Sequence, residues 1–452
     1  MEGTSSSQEI NQEEEVVRSI KTMFDNVPPL LSEYSIYRVP ERLRKVNEEA
    51  YTPMVVSIGP YHHGKEKYKT MEYQKLRYLY SYLLRDNSVP LHQCVKLVLG
   101  LERSAREFYA ETISYTKKEF VKMMLVDGFF IVELIRQYYY PDLRNEFDPI
   151  FKNHWIFNAV HRDMLLLENQ LPFSVLKGLY TLINNSAEER FSTDRSFLEL
   201  TDFLLCYYKP IPNHDESSLL YHRDGHHLLH LSLQRVIYPI QERRVTFPSR
   251  NNKDDLAFIP SATELHEAGI KFQGLGEDWK HLLVVRFIKG VLKIPTLLVD
   301  DRTESLFRNL IALEQTHSSS SINNQKNQRY GGFTPITDYV TLMDCLINTS
   351  ADVALLRDHG IIRNWLGDNE EVAQLFNKLR SGIIACSTEF YFYELFADVN
   401  EFYNTRWHAW KAKLKRDYFN TPWASLSFVA AVFLLVCTLV QTVCSIIQVV
   451  QN

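Results

Sequence analysis

The sequence predicts a mainly α-helical protein with a small β element: a large helical globular domain followed by one C-terminal transmembrane helix. Three observations carry this expectation. Apolar residues recur at helical spacing through most of the 452-residue chain. Glycine and proline, 16 and 17 residues, are scarce for this length, which argues against turn-rich or linker-dominated architectures. From residue 418 to the end there is no charged side chain.

Composition narrows the function classes. An apolar share of 45% with 23% charged residues is ordinary for a globular chain, and 26 Phe, 25 Tyr and 6 Trp supply ample area for a core. The net charge of -5 excludes nucleic-acid binding by bulk charge, and no zinc-finger spacing accompanies it. Cys94, Cys206, Cys345, Cys386, Cys437 and Cys444 include no C-x-x-C pair, so neither a disulfide framework nor a cysteine zinc site is indicated. This fits a reducing compartment.

Taken in order, residues 1–34 read as an acidic, partly disordered segment without a secretory signal. Residues 35–417 read as one domain with no internal repeat. Within it, Pro53 to Pro60 is extended, with Met54, Val55, Val56 and Ile58 between prolines. Helices are predicted over 65–86, with Leu76, Leu79, Tyr80 and Leu83 on one stripe, and over 118–138, 155–170, 194–208, 334–347 and 387–416. Leu282 to Val299 carries Lys289-Gly290 between β-branched runs, the pattern of a hairpin. A polar loop is expected at 316–332, with a weaker break at 247–255.

The tail, 418–452, is the strongest local signal. Its apolar run between Trp423 and Ile447 would be about 37 Å long as a helix, enough to cross a hydrocarbon core of about 30 Å. Core helices rarely run so far without one charged face. Arg406, Lys411, Lys413, Lys415 and Arg416 precede the run, so the positive-inside rule places the bulk of the chain in the cytosol, in single-pass, tail-anchored topology. The lipid bilayer is therefore an expected partner, with the plasma membrane as the first expectation. Ser427, Ala431, Thr438, Gln441, Thr442 and Ser445 gather small and polar side chains on one stripe, which could pair with a related chain or simply be tolerated in a lone span.

Candidate chemistry is sparse. His62 and His63 sit on a loop stiffened by Gly59, Pro60 and Gly64, but no nucleophile or metal motif accompanies them. Glu72, Asp127 and Asp163 fall on apolar stripes, where Arg38, Lys75 or Arg136 could pair them. A buried polar network of Arg38, Glu72, Lys75, Asp127, Asp163 and Glu168 holding helices in register outweighs an active site with perturbed acidities. His222, His226, His227 and His230 form the densest histidine cluster, and on a helix 222, 226 and 230 would stack at i, i+4 and i+8, a spacing that could hold a metal, but the leucine-rich surroundings favour an ordinary amphipathic or buried segment. No phosphate loop, nucleophile elbow or kinase motif is present, and Gly274-Leu275-Gly276 lacks the third glycine of a dinucleotide loop. No catalytic residue, metal or cofactor is expected.

Longer motifs add to this. IYRVP (36–40), YTPMVVSIGPYHHG (51–64), ME-x-x-K (71–75), MMLVDGFFIVELIR (123–136), DMLLLENQLPF (163–173), SATELHEAGIKF (261–272), LIALEQ (310–315) and the apolar tail resemble, in order, the plant family known as domain of unknown function 247, the UPF0481 proteins. The resemblance implies a plant-specific, membrane-anchored protein with no established enzymatic activity or catalytic residues. Some grass members are implicated in pollen self-incompatibility, a role that would sit awkwardly with a cytosolic body. The preferred expectation is a tail-anchored module for recognition or signalling that binds an unknown protein partner. The alternative is a membrane-associated enzyme using Asp127, Asp163, Glu168 and the His62/His63 loop. Convergence of those side chains on an open pocket would favour the enzyme, and burial under packed helices the module.

Overall fold

The computed structural model describes residues 15–24, 35–85, 89–184, 196–205, 225–242, 257–276, 282–316, 334–383, 390–405, 430, 433–438 and 440–442. Two units are distinguished, Met1–Tyr34 and Ser35–Asn452. In the first, residues 15–24 form a helix. His222, the break at 247–255, the polar loop beyond Thr316, the basic flank from Arg406 to Arg416, and Trp423, Ser427, Ala431, Ser445 and Ile447 lie outside the described residues.

The second unit is mainly helical with a small β element. Its first layer comprises α1 (Lys69–Arg85), α2 (Leu91–Glu107), α3 (Lys117–Tyr139), α4 (His154–Asp163), α5 (Phe173–Asn184) and α6 (Phe197–Leu205). The axis of this layer is α3. A capping box starts it: Glu119 N–H donates to Thr116 Oγ1 at 3.3 Å, and Glu119 Oε2 accepts from Thr116 N–H at 2.9 Å. From Phe120 to Gln137 nearly every side chain is buried, the signature of a helix enclosed on all sides. Helices α1, α2, α5 and α6 pack around it. At Gly128 a Cβ would lie 2.6 Å from Leu179 Cδ1, so the missing side chain lets α5 lie close.

The second layer contains α7 (Leu228–Glu242), α8 (Ala262–Glu267), α9 (Thr303–Thr316), α10 (Pro335–Leu346), α11 (Ser350–Asp358), α12 (Asn369–Leu379) and α13 (Tyr393–Asn404). Strands β1 (Lys271–Gly274), β2 (Arg286–Ile288) and β3 (Val291–Ile294) form one sheet in the order β1-β3-β2, and β4 (Leu297–Val299) pairs in parallel with β5 (Ile362–Asn364). The expected hairpin is β2–β3, in antiparallel register Arg286↔Lys293. Lys289 and Gly290, at φ 51° and 76°, are both left-handed, as a two-residue turn matched to strand twist requires.

Two expectations are corrected. The helix predicted over 155–170 stops at Asp163, because the following residues turn and Gln170 Nε2 donates to the carbonyls of Met164 and Leu166. Leu76 and Tyr80 do not share a buried stripe with Leu79; they face solvent. The extended stretch 53–60 joins no sheet. As for the tail, no single helix among the described residues is long and apolar enough to cross a membrane, and Phe433–Thr442 is apolar but shorter. Helices α10 and α11 together are apolar enough, but they meet at 105° and their apolar residues lie in the core.

Candidate functional site

The residues singled out by sequence converge on the extended segment 53–59. Val56, Ser57 and Ile58 are buried, and a buried backbone without a strand partner must satisfy its polar groups by other means. Side chains do so here. Asp163, the last residue of α4, accepts from the N–H groups of Met54 (2.8 Å), Val55 (2.7 Å) and Val56 (3.0 Å). Asn169 brackets the next turn, accepting from Ile58 N–H at 2.7 Å and donating to Val56 O at 3.0 Å. Asp127 on α3 accepts from Gly59 N–H at 2.9 Å, while Lys75 on α1 donates to Ser57 O. Gly59 has φ +69°, and a Cβ there would meet Gln170 O at 2.6 Å, so only glycine fits the approach.

Charge pairing secures these contacts. Lys75 Nζ lies 2.6 Å from both Glu72 Oε1 and Asp127 Oδ1. Burial opposes the Lys75 charge, yet the two carboxylates outweigh it and raise its pKa; burial pushes Asp127 up, which Lys75 partly offsets. Glu168 anchors the entering chain, accepting from Val39 N–H at 2.7 Å and from Arg44, with His62 Nε2 at 3.5 Å and Arg38 Nη1 at 3.9 Å. Burial opposes its ionisation, but the nearby His62 ring, Arg44 and the Val39 N–H prevail and hold it at about 2. Lys65 Nζ lies 3.0 Å from His62 Nδ1 and, as an ammonium, can only donate there, which leaves the ring proton on Nε2, facing Glu168.

The predicted network thus divides into three clusters: Glu72–Lys75–Asp127 and Asp163, with Arg162 Nη1 at 3.0 Å, hold segment 53–59, whereas Arg38–Glu168 with His62 holds the chain at Val39. Arg136 pairs instead with Glu133 at 2.5 Å. His62 is buried and His63 points the other way, edge-on to Tyr115. His227 and His230 are buried near the start of α7, where His227 Nε2 lies 3.0 Å from Ser35 O. Among the described residues no three His, Cys, Asp or Glu side chains are placed to hold a metal ion. Asn169, Gln170 and Arg44 were not marked by spacing, although the first two lie inside the DMLLLENQLPF motif.

Two surface concavities lie elsewhere, and none of the predicted network residues or the His62/His63 loop lines them. One, of about 700 Å³, is bordered by Thr296, Arg357, Arg363, Asn364 and Trp365. The other, of about 530 Å³, follows the outer face of α1, where Tyr73, Leu76 and Tyr80 meet Pro149 and Ile156. Tyr73, Leu76, Tyr80 and Leu84 are 59%, 44%, 64% and 64% exposed and form one stripe along the helix. An apolar surface of this kind is characteristic of an interaction site.

A second buried acidic pair lies in the other layer. Glu314 on α9 accepts from Ile336 N–H (2.9 Å), Thr337 N–H (2.8 Å) and Thr337 Oγ1 (2.8 Å) at the start of α10, and Asp338 accepts from Tyr391 N–H at 2.8 Å. Burial raises Glu314 to about 7 and Asp338 to about 8, Glu314 adding to the latter shift.

Comparison with known proteins gives a consistent result. The family model DUF247, plant protein of unknown function, matches residues 36–437. A UPF0481 protein of Arabidopsis thaliana is 31% identical over 436 residues, covering 91% of this chain and 86% of its own. A putative UPF0481 protein of the same plant is 24% identical over 498 residues, covering 90% and 89%. No solved structure matches.

Two predictions follow from these geometries. Asp127→Ala leaves Lys75 with Glu72 as its one carboxylate and the Gly59 N–H without an acceptor, and should lower unfolding free energy by about 3 kcal/mol. Asp127→Asn, which keeps an acceptor for Gly59, should cost less; chemical denaturation measures both, and a loss below about 1 kcal/mol for Ala would refute the anchoring role. The Glu314–Asp338 pair contributes a pH dependence of its own. Both folded pKa values lie above those of the unfolded chain, so this stability is complete below about pH 4 and is lost as the pH rises through 7 to 8, at up to about 1.4 kcal/mol per unit for each carboxyl. Thermal unfolding between pH 5 and 8.5 should show the fall, and Asp338→Asn should flatten it.

Proposed function

We propose, on the premise that this chain belongs to the plant DUF247 family, that it is a tail-anchored protein-interaction module. In this reading the helical body lies on the cytosolic side, segment 418–452 holds it in a membrane, first of all the plasma membrane, and the groove on α1 receives a protein partner. The observation that carries the reading is the division of labour between inside and outside. Lys75, Asp127, Asp163 and Glu168 are buried and engaged with backbone or with one another, whereas the open stripe on α1 is apolar and aromatic. The enzyme alternative, built on those carboxylates and the His62/His63 loop, draws no support from this arrangement, since they line neither concavity.

Support for anchoring comes from the sequence of the tail and from the exposed apolar side chains of Phe433, Leu434, Leu435, Val436 and Val440 on its helix, which suit lipid better than water. In the candidate pairing stripe, Thr438 Oγ1 donates to Leu434 O at 2.8 Å and Thr442 Oγ1 to Thr438 O at 2.7 Å. These hydroxyl protons are satisfied within the helix. The pairing role proposed for the stripe therefore rests chiefly on small-residue packing.

Removing residues 418–452 should move the protein to the soluble fraction without lowering the Tm of the body; truncated protein that still pellets after a carbonate wash contradicts the single anchor. Side can be read from Asn348-Thr349-Ser350, a glycosylation pattern whose Asn348 is exposed. With a cytosolic body, glycosidase treatment should leave gel mobility unchanged. A shift abolished by Asn348→Gln would place the body on the lumenal or outer side. For the groove, proximity labelling from the wild type and from Tyr73→Lys/Tyr80→Lys should give different protein sets, and identical sets would remove α1 as the partner surface.

A further inference from the structure

Helix 15–24 has the form of a ligand for such a groove. Val16, Val17, Ile20, Met23 and Phe24 fall at i, i+1, i+4, i+7 and i+8, so they share one face, and each is exposed. Arg18, Ser19, Lys21 and Thr22 occupy the opposite side. A helix with five apolar side chains in water lacks the tertiary packing that normally stabilises so short an element. Its spacing matches the anchors with which an amphipathic helix enters an apolar groove.

The groove on α1 is complementary in length, surface and charge. The stripe from Tyr73 to Leu84 is about 16 Å long, and helix 15–24 is about 15 Å. Arg77 lines the groove and donates to Gln74 Oε1 at 3.3 Å, and among the described residues no carboxylate pairs with it. The helix opens on the acidic run Glu13, Glu14 and Glu15, which suits Arg77 and disfavours an anionic lipid surface.

We infer that the α1 groove of one copy takes helix 15–24 of a second copy, so that two chains exchange their N-terminal helices. This rests on the reading of the groove as a partner surface and names the occupant. Each copy offers one helix and one groove, so a reciprocal exchange uses both in a symmetric pair.

The test uses two differently tagged full-length chains co-expressed in membranes, with pairing read by energy transfer. The helix variant is Val16→Asp/Ile20→Asp/Phe24→Asp, and the groove variant is Tyr73→Lys/Tyr80→Lys. All five positions are exposed, and thermal unfolding checks that each variant keeps its fold. Each variant alone should pair with itself about tenfold or more weakly than the wild type. A mixture of the two should recover pairing, since the groove variant still supplies an intact helix and the helix variant an intact groove. Wild-type pairing by both variants alone would overturn the inference. Loss in the groove variant alone would mean that the groove joins the copies through a segment other than helix 15–24, overturning the exchange while leaving the groove as an interaction surface. Loss in both variants without recovery in the mixture would also overturn it, because exchange between copies demands complementation.

Discussion

Segment 53–59, buried from Val56 onward, runs between helices without the strand partner that an extended chain ordinarily needs, and much of the surrounding layer is arranged around that deficit. Its N–H and C=O groups find Asp163, Asn169, Asp127 and Lys75, delivered by α4, the turn after it, α3 and α1. Unmade, each of these bonds would leave a buried polar group at about 1 to 3 kcal/mol. The segment therefore acts as a wedge that orients three helices at once. A β-ladder would hold it to one neighbour; a ladder of side chains ties it to several.

This explains why charged residues sit where apolar ones would be cheaper to bury. Lys75 and Asp127 are enclosed, yet Lys75 also serves Ser57 O and Asp127 serves Gly59 N–H, so the ion pair is part of a backbone-binding device. Glu168 behaves in the same way toward Val39. Glu314 does so toward the start of α10, with N–H groups and a hydroxyl in place of a cation. The contrast in acidity follows from that difference: with arginine and histidine alongside, burial is outweighed at Glu168, whereas at Glu314 burial prevails. Perturbed acidity in this chain is a sign of architecture at each of these places.

How much of this could be read from residues alone varies by element. Helix α3 was legible because an enclosed helix with a capping box needs little from its neighbours, and the β2–β3 hairpin because Lys289-Gly290 dictates its own turn. The burial of Glu72, Lys75, Asp127 and Asp163 was readable from carboxylates on apolar stripes; their common target was not, since periodicity reports which side of a helix faces inward and says nothing of the loop lying against it. Asn169 and Gln170 escaped notice because an amide has no charge to look out of place. The end of α4 at Asp163 was missed for a related reason: the leucines after it continue the apolar pattern, while the amides of Asn169 and Gln170 fold back on the carbonyls of Asp163, Met164 and Leu166 in a turn.

Helix α1 shows what the wedge costs the surface. Its inner side must present Lys75 and Gln74, alongside Tyr78, Leu79 and Tyr82, while its outer side carries Tyr73, Leu76, Tyr80 and Leu84. That is apolar character on both faces, with the buried lysine on the inner one. A helix needing only to fold could place polar residues at all four outer positions without disturbing any bond to segment 53–59, because none of the four takes part in one. The demands of folding account for the inner face alone. The outer face therefore calls for a separate cause, and burial against another helix supplies one by the same transfer of apolar area from water that assembles the core.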